Sequence, residues 1–399
     1  MQLNISNTRI PGIIVIVAIS MGINFLPILI FMPSGTSALA WILPFVASIS
    51  ELFNARNKVN FPLKIWLPFI VIVFIYFLFS TASNALQRSI MLLVPIAVGC
   101  ACSTLSISEN LFFKIKKLID KFTIIFMIIS LYIVAATVVI DTDSSNGYAM
   151  GAITATLLTS WYMALSGYYN SIRYALIAGS TLIIPIISNV RIGMLAVVSA
   201  MIFTFSPIGF FRRMAIIGLL SISGFFIFHT DKVQQKMFFS GSGTILEAID
   251  GAQDLFFNIE VDSQNFVTSG RVITYLVLKE KLDENYWFGH GSNSSEIVTL
   301  NATGVVHPHN DWLRLHFEYG LIGAIVFGLT MLVQSIDAFS KARKADGFPS
   351  IFLYAGATSF IPMAVTMLSD NVILYIAWFG ILQFALLGLG YGSYHRYER

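Results

Sequence analysis

Long apolar runs broken by short polar segments set the plan of this chain. A helix needs about 20 apolar residues to cross a bilayer's hydrocarbon core. Reading for such runs predicts spans at 10–32, 37–53, 64–81, 87–104, 122–140, 149–168, 174–190, 192–208, 214–229, 319–337, 350–368 and 372–390. The expectation is therefore an all-α polytopic membrane protein of about twelve transmembrane helices. Two places fit the pattern least well. The second run contains Pro44 and ends at Glu51, and the seventh and eighth are separated only by a brief polar break.

Between 230 and 318 the pattern changes to that of a small soluble segment. An amphipathic piece from Asp231 to Lys236 precedes the turn Ser240-Gly241-Ser242-Gly243. A helix is predicted from Gly270 to Leu282, then a Gly, Asn and Ser loop from Gly289 to Gly304. A last helix runs from His309 into the tenth span. The chain thus divides into 1–229 with nine spans, 230–318 as one large loop, and 319–399 with three spans and a tail. No internal repeat is visible, unlike the inverted repeats of many transporters.

Charge gives these spans an orientation. Basic residues set sidedness through the short loops. Arg56, Lys58 and Lys64 lie between spans two and three, and Lys114, Lys116, Lys117 and Lys121 between four and five. Arg173, the pair Arg212 and Arg213, and Lys341, Arg343 and Lys344 follow later spans, and the tail ends His395-Arg396-Tyr397-Glu398-Arg399. With twelve spans all fall on one face. That face is predicted to be cytoplasmic and to hold both termini, with the large loop outside.

Composition agrees. The 399 residues are 56% hydrophobic and only 11% charged, with a mean hydropathy of +0.77, where a soluble domain carries roughly 25% charge. The net charge of +3 is small and by itself says little about partners; no nucleic-acid partner is expected. Cys100 and Cys102 sit in an apolar run and, one residue apart on a helix, point in different directions, which favours packing over a disulfide or metal. The run from Ile10 to about Phe31 is too long for a signal-peptide core and lacks a cleavage site, so it is expected to stay as the first span.

Candidate chemistry lies where the charge rule is broken. Arg88 opens the fourth span on the outer side, Arg191 sits in the turn Ser188-Asn189-Val190-Arg191-Ile192-Gly193, and Arg271 begins the helix in the loop. An arginine at such a boundary is costly and needs a partner. Snorkelling or an ion pair would account for one; several converging would grip phosphate oxygens bidentately. The second feature is His307-Pro308-His309-Asn310-Asp311. Pro308 holds His307 extended, Asn310 or Asp311 can cap the helix that follows, and a histidine there suits general-base work near neutral pH. A metal site is not expected. The H-x-H pair lacks an evident third ligand, and the D-x-D of Asp141 and Asp143 suits a solvated turn.

These residues carry a resemblance. His309-Asn310, nine residues, then Gly320-Leu321-Ile322-Gly323 resembles the signature of the O-antigen polymerase and O-antigen ligase superfamily. Arg191-Ile192-Gly193-Met194-Leu195 is similar to that family's Arg-x-x-x-Leu element, and Gly289-His290-Gly291 to its Gly-x-Gly element. The resemblance is specific over roughly 188–325 and rests on hydropathy elsewhere. It implies a C-type glycosyltransferase in the bacterial inner membrane, working at the periplasmic face without metal or nucleotide sugar. The donor would be a glycan on undecaprenyl pyrophosphate, and the acceptor another glycan or lipid A-core. His309 would be the base of an inverting displacement, while Arg191 and Arg271, with Arg88 a lesser candidate, would cradle the pyrophosphate. His307, Asn310, Asp311 and Gly320 would support substrate binding. Membrane lipids and a chain-length regulator are the further expected partners.

Three readings differ from one another in what they predict. The superfamily signature fits both a polymerase and a ligase, and Trp312 in its aromatic-rich neighbourhood tilts the choice to a polymerase. A lipid-linked-sugar transporter would carry internal symmetry and charges in mid-membrane. A scaffold would need no arginines against the charge rule.

Overall fold

The computed structural model describes residues 10–23, 36–80, 82–140, 145–188, 190–256, 265, 267 and 271–397. Helices dominate, and no strand occurs among the described residues. The first part holds α1 (Gly12–Ile23), α2 (Thr36–Asn54), α3 (Leu63–Phe79), α4 (Ala85–Cys102), α5 (Glu109–Ile140) and α6 (Ser145–Tyr168). It continues with α7 (Ile172–Ser180), α8 (Ile183–Ile187), α9 (Arg191–Ile202) and α10 (Phe210–Phe228). The long polar segment contributes α11 (Asp231–Met237), α12 (Ile245–Phe256), α13 (Arg271–Leu282) and α14 (Ser294–Thr303). The chain ends with α15 (Asp311–Lys344), α16 (Phe348–Thr366) and α17 (Gly380–Tyr397).

Five of these helices, α2, α4, α10, α15 and α16, are long and apolar enough to cross a membrane. They differ in what surrounds them. The sequence of α16 mixes Phe, Ile and Leu with Gly, Ala and Ser on all sides, and nearly every side chain is buried. It packs against α6, α9, α15 and α17, and small residues let such helices approach closely without polar cost. Helix α17 meets α4 the same way, since a Cβ at Gly388 would collide with the Gly99 carbonyl. Cys100 and Cys102 are free and buried in this contact layer. By contrast α10 carries large apolar residues all round yet buries only Ile216. An apolar helix that is barely covered by protein needs lipid around it.

Several expected boundaries shift. The seventh span is two pieces, α7 and α8, separated by a turn. The expected twelfth span, 372–390, begins instead as turns over 372–379 and becomes helical only at Gly380. Those turns are buried, with Val372, Trp378 and Phe379 at most 3% exposed. Irregular backbone is tolerated at membrane depth when protein surrounds it, and local bonds such as Trp378 N–H to the Tyr375 carbonyl (2.9 Å) satisfy it. Inside the long polar segment, α12 and α14 form where no helix is predicted; the pattern of Gly, Asn and Ser around α14 hides its short helical run. Positions 24–32 of the first expected span, together with Asp141, Asp143, Asn189 and Gly270, lie outside the described residues.

The feature that positions the site is a break in α15. Gly320 has φ 70° and ψ 176°, so the helix stops and restarts there. A break frees carbonyls before it and amides after it, and buried backbone groups must find partners. The strip from 286 to 291 supplies them. His290 N–H donates to the Phe317 carbonyl and Gly291 N–H to the Glu318 carbonyl, both at 2.9 Å. Leu321 N–H donates to the Tyr286 carbonyl (3.0 Å) and Ile322 N–H to that of Trp287 (3.4 Å). The two backbones lie so close that a Cβ on Gly320 would collide with the Trp287 carbonyl, and a Cβ on Gly289 with Gly320 N. Both glycines also have positive φ, a conformation other residues adopt only at a cost.

Gly320→Ala therefore adds strain and a backbone collision at once. It should destabilise the folded protein by at least about 2 kcal/mol, read as a loss of monodisperse protein on heating in detergent. A melting curve unchanged from wild type would refute this account of the break.

Candidate functional site

Helix α15 carries the histidine segment up to the break. Asn310 is the N-cap, its Oδ1 accepting from Leu313 N–H at 2.9 Å. Asp311 does something else: fully buried, it accepts Ile373 N–H at 2.7 Å, while its own N–H donates to the Met367 carbonyl at 2.9 Å. The two residues that sequence could not separate thus divide the work. Asn310 starts the helix, and Asp311 fastens it to the buried turns after α16.

That fastening brings Asp370 and Asn371 against His309. Asn371 Nδ2 lies 3.1 Å from His309 Nδ1, and Asp370 Oδ1 lies 3.7 Å from the same nitrogen. The His309 side chain remains 42% exposed. It sits at φ 50°, unusual for a residue with a Cβ. An imidazole held on one nitrogen and open on the other is the geometry of a histidine that exchanges a proton with a substrate.

His307 is placed differently. Its Nδ1 lies 3.0 Å from Glu296 Oε1, on α14. Arg88 Nη2 also reaches that oxygen (2.8 Å), as does Arg314 Nη2 (3.3 Å). Burial works to raise the Glu296 carboxyl, but the His307 hydrogen bond and the charges of Arg314 and Arg88 outweigh it and hold the group near 2. Burial lowers the His307 pKa, and the bond to Glu296 opposes that. His307 and Arg88 therefore belong to a buried hub that ties α4, α14 and α15 together. His290 is likewise structural, with Nε2 2.8 Å from the Lys281 carbonyl and its ring stacked on Phe317.

The remaining two arginines do converge. Arg191 and Arg271 are each the first residue of a helix, α9 and α13. Arg191 Nη2 donates to the Val267 carbonyl at 3.2 Å, and Val267 N–H donates to the Met237 carbonyl at 2.8 Å, which draws α11 to the same place. Lys236 of α11 is surface-exposed, yet the protein around it and then the charges of Arg191 and Arg271 lower its pKa. Burial lowers the Arg271 pKa, opposed by the charge of Asp370. Asp370 thus acts on Arg271 as well as lying 3.7 Å from His309 Nδ1. Arg271 Nε is buried without a hydrogen-bond partner among the described residues. Two helix N-termini, each with the positive end of a dipole and a guanidinium, offer features that favour an anion.

Sequence reasoning missed Asp370, Asn371, Glu296 and Arg314. The signal for the first pair was present, since Asp370-Asn371 is a polar pair inside a long apolar stretch. Arg314 and Glu318 stand one helical turn apart just after the histidines, but nothing local ties them to Glu296. Among the described residues, no group of three or more His, Cys, Asp or Glu side chains could hold a metal ion.

Residues 174–328 match a family model described as O-Antigen ligase. The match contains Arg191, Arg271, His307, His309, Asn310, Asp311 and Gly320. No curated protein matches the chain.

Two outcomes follow from the charges. Glu296→Ala leaves Arg314, whose side chain is 4% exposed, buried without its main counter-charge. It should cost about 3–5 kcal/mol, seen as poor yield or a large fall in thermal midpoint. Arg271→Gln removes a cation from the wrong end of a helix dipole. It should leave stability equal or raise it by about 0.3–1 kcal/mol while impairing function. A clear loss of stability would mean that Arg271 is structural.

Proposed function

We propose, from the premise that the O-Antigen ligase match over 174–328 places this chain in the O-antigen polymerase and ligase superfamily, that it is a membrane glycosyltransferase. Its donor is a glycan on undecaprenyl pyrophosphate. The observation that carries the reading is Asp370, 3.7 Å from His309 Nδ1 and within electrostatic reach of Arg271, whose charge in turn acts on the other helix-start arginine, Arg191. Acid–base chemistry and anion binding then sit side by side.

In this reaction the acceptor hydroxyl oxygen attacks the anomeric carbon from the face opposite the leaving group. The bond from that carbon to the pyrophosphate oxygen breaks, and its electron pair leaves with the diphosphate. One displacement inverts the anomeric configuration. Negative charge grows on the leaving group in the transition state, and preorganised guanidiniums lower the barrier by meeting it there. The acceptor proton passes to His309 Nε2. For this the imidazole must carry its own proton on Nδ1, facing Asp370 Oδ1 and Asn371. The Asn371 amide then presents its oxygen to Nδ1–H. Asn371 Oδ1 is otherwise a buried acceptor without a partner, and amide orientation is set by such networks. Neither step needs a metal.

Around this core we place about twelve spans of a C-type glycosyltransferase in the bacterial inner membrane, with both termini cytoplasmic and 230–318 periplasmic. The divisions 1–229, 230–318 and 319–399 follow that topology. The basic loops support the orientation. A polymerase, joining lipid-linked repeat units, is the preferred activity, on the aromatic-rich neighbourhood of Trp312, whose Nε1–H donates to the Ala364 carbonyl at 3.1 Å and whose ring packs edge-on against Phe327. A ligase acting on lipid A-core is the second reading. A chain-length regulator is a further proposed partner of the polymerase.

The test is glycan transfer by purified protein given undecaprenyl-pyrophosphate-linked repeat units alone, then with lipid A-core. A ladder of longer lipid-linked chains marks a polymerase, and product only with lipid A-core marks a ligase. His309→Ala should lower kcat by roughly 10²–10⁴-fold in folded protein. Arg191→Lys should recover only part of the activity lost in Arg191→Ala, because the planar fork is gone. Full activity in His309→Ala would overturn the base assignment.

A further inference from the structure

The end of α15 remote from His309 carries a second set of cations. Arg212 and Arg213 stand in the first turn of α10. Arg212 Nη2 donates to Asn170 twice, to its backbone carbonyl at 3.2 Å and to its Oδ1 at 2.8 Å. Arg213 Nη2 donates to the Thr204 carbonyl at 3.1 Å. Arg343, near the end of α15, lies over the Phe339 ring, 5.9 Å from its centroid. Phe339 in turn packs on Phe205, the neighbour of Thr204, with 4.9 Å between ring centroids. Three guanidiniums from two helices are thus mounted around one loop. None of them takes part in an ion pair among the described residues. Carbonyls and a ring fix where they stand and leave their charge uncompensated. A helix start is also the wrong end for a cation, so helix stability does not account for Arg212 and Arg213. Phe210 and Phe211, just before them, are 68% and 87% exposed, on a helix that buries only Ile216.

We propose that this cluster binds the phosphate of an anionic phospholipid, with Phe210 and Phe211 against its acyl chains. The inference uses neither the proposed donor nor the chemistry at His309. Guanidiniums match phosphate oxygens in shape and charge. A free phosphate would meet the cations but leave two large rings uncovered. A zwitterionic phospholipid brings an ammonium of its own, which the cluster repels. An anionic phospholipid answers both demands, with its head on the arginines and its chains on the phenylalanines. Each basic side chain near an anionic leaflet adds to the attraction. Asn170 and Thr204 hold two of the three in advance, so binding loses less side-chain freedom. The bound lipid would join the loosely covered α10 to the end of α15. Because an unfolded chain lacks this arrangement, binding would stabilise the folded protein.

The test titrates purified, delipidated full-length protein with phosphatidylglycerol or phosphatidylcholine and counts bound lipids by native mass spectrometry. Phosphatidylglycerol should bind the more tightly and should raise the thermal midpoint. Arg212→Gln/Arg213→Gln should weaken its binding by roughly thirtyfold and remove the rise. Arg56→Gln/Lys58→Gln takes the same charge from exposed positions between α2 and α3 and should do neither. A general attraction to a basic surface would respond to both double variants alike. Phosphatidylglycerol with a diazirine near the head of one acyl chain should label Phe210 or Phe211 of the wild-type protein on photolysis. Unlabelled phosphatidylglycerol should compete for that labelling, and glycerophosphoglycerol, the same headgroup without chains, should not. Equal affinity for the two lipids, equal loss in the two double variants, adducts confined to other helices, or equal competition by the bare headgroup would each overturn the site. Because the adduct map comes from wild-type protein, the result does not depend on a variant folding.

Discussion

The site depends on a helix that is broken and then repaired. At Gly320 α15 loses its own hydrogen bonding, and the strip from Tyr286 to Gly291 makes four backbone bonds across the gap. That exchange does two things. It satisfies groups that would otherwise be costly in an apolar setting. It also fixes α14, which follows the strip, against the first turns of α15, which carry the histidines. The Gly-x-Gly and Gly-x-x-Gly elements are therefore two sides of one contact, and each needs glycine for the other's backbone to approach.

Glu296 completes the frame from the side. It stands on α14, so the position of its carboxylate is set by the repaired break. Through Arg88 and Arg314 it joins α4 and α15. Buried ion pairs cost desolvation that their attraction need not exceed, and here the gain is in placement: three helices that share one carboxylate have little freedom to slide. His307, bound to the same oxygen, fixes the segment two residues before His309. The strain at His309, with its positive φ, is held by this anchoring on one side and by Asn310 and Asp311 on the other.

Much of this was legible in the sequence, for identifiable reasons. Membrane character follows from apolar run length, which needs no tertiary information. Arg191, Arg271 and His309 stood out because each opposes a local rule or matches an ordered motif, and in the structure the charge of Arg271 acts on Arg191 while that of Asp370 acts on Arg271. Arg88 looked like the other two arginines in sequence but is drawn, with His307, into the Glu296 hub, because the carboxylate that pairs it lies some two hundred residues away in the chain. The last span was misread as a continuous helix over 372–390. Hydropathy reports burial in an apolar medium, and the turns over 372–379 are as apolar as a helix while their bonding is irregular. Asp370 and Asn371 were lost with that error, since their meaning comes from sitting at the start of a buried turn beside His309.

The arrangement also explains why the chemistry gathers at one end of the helices and not in their middle. An amphiphilic diphosphate presents its anion at the depth where its hydrocarbon stops. A cationic site for it must lie at the same depth, and helix starts are where a protein can offer charge, dipole and unpaired amides together. Arg191 and Arg271 use two such starts, at the expense of helix stability that a cation in that position always carries. The neighbouring turns, buried but not helical, let a carboxylate and an amide reach His309 from a direction no straight helix could supply. Broken helices and misplaced charges, each unfavourable alone, are thus what the proposed reaction would ask for: a diphosphate and a proton acceptor held near one another at the edge of hydrocarbon.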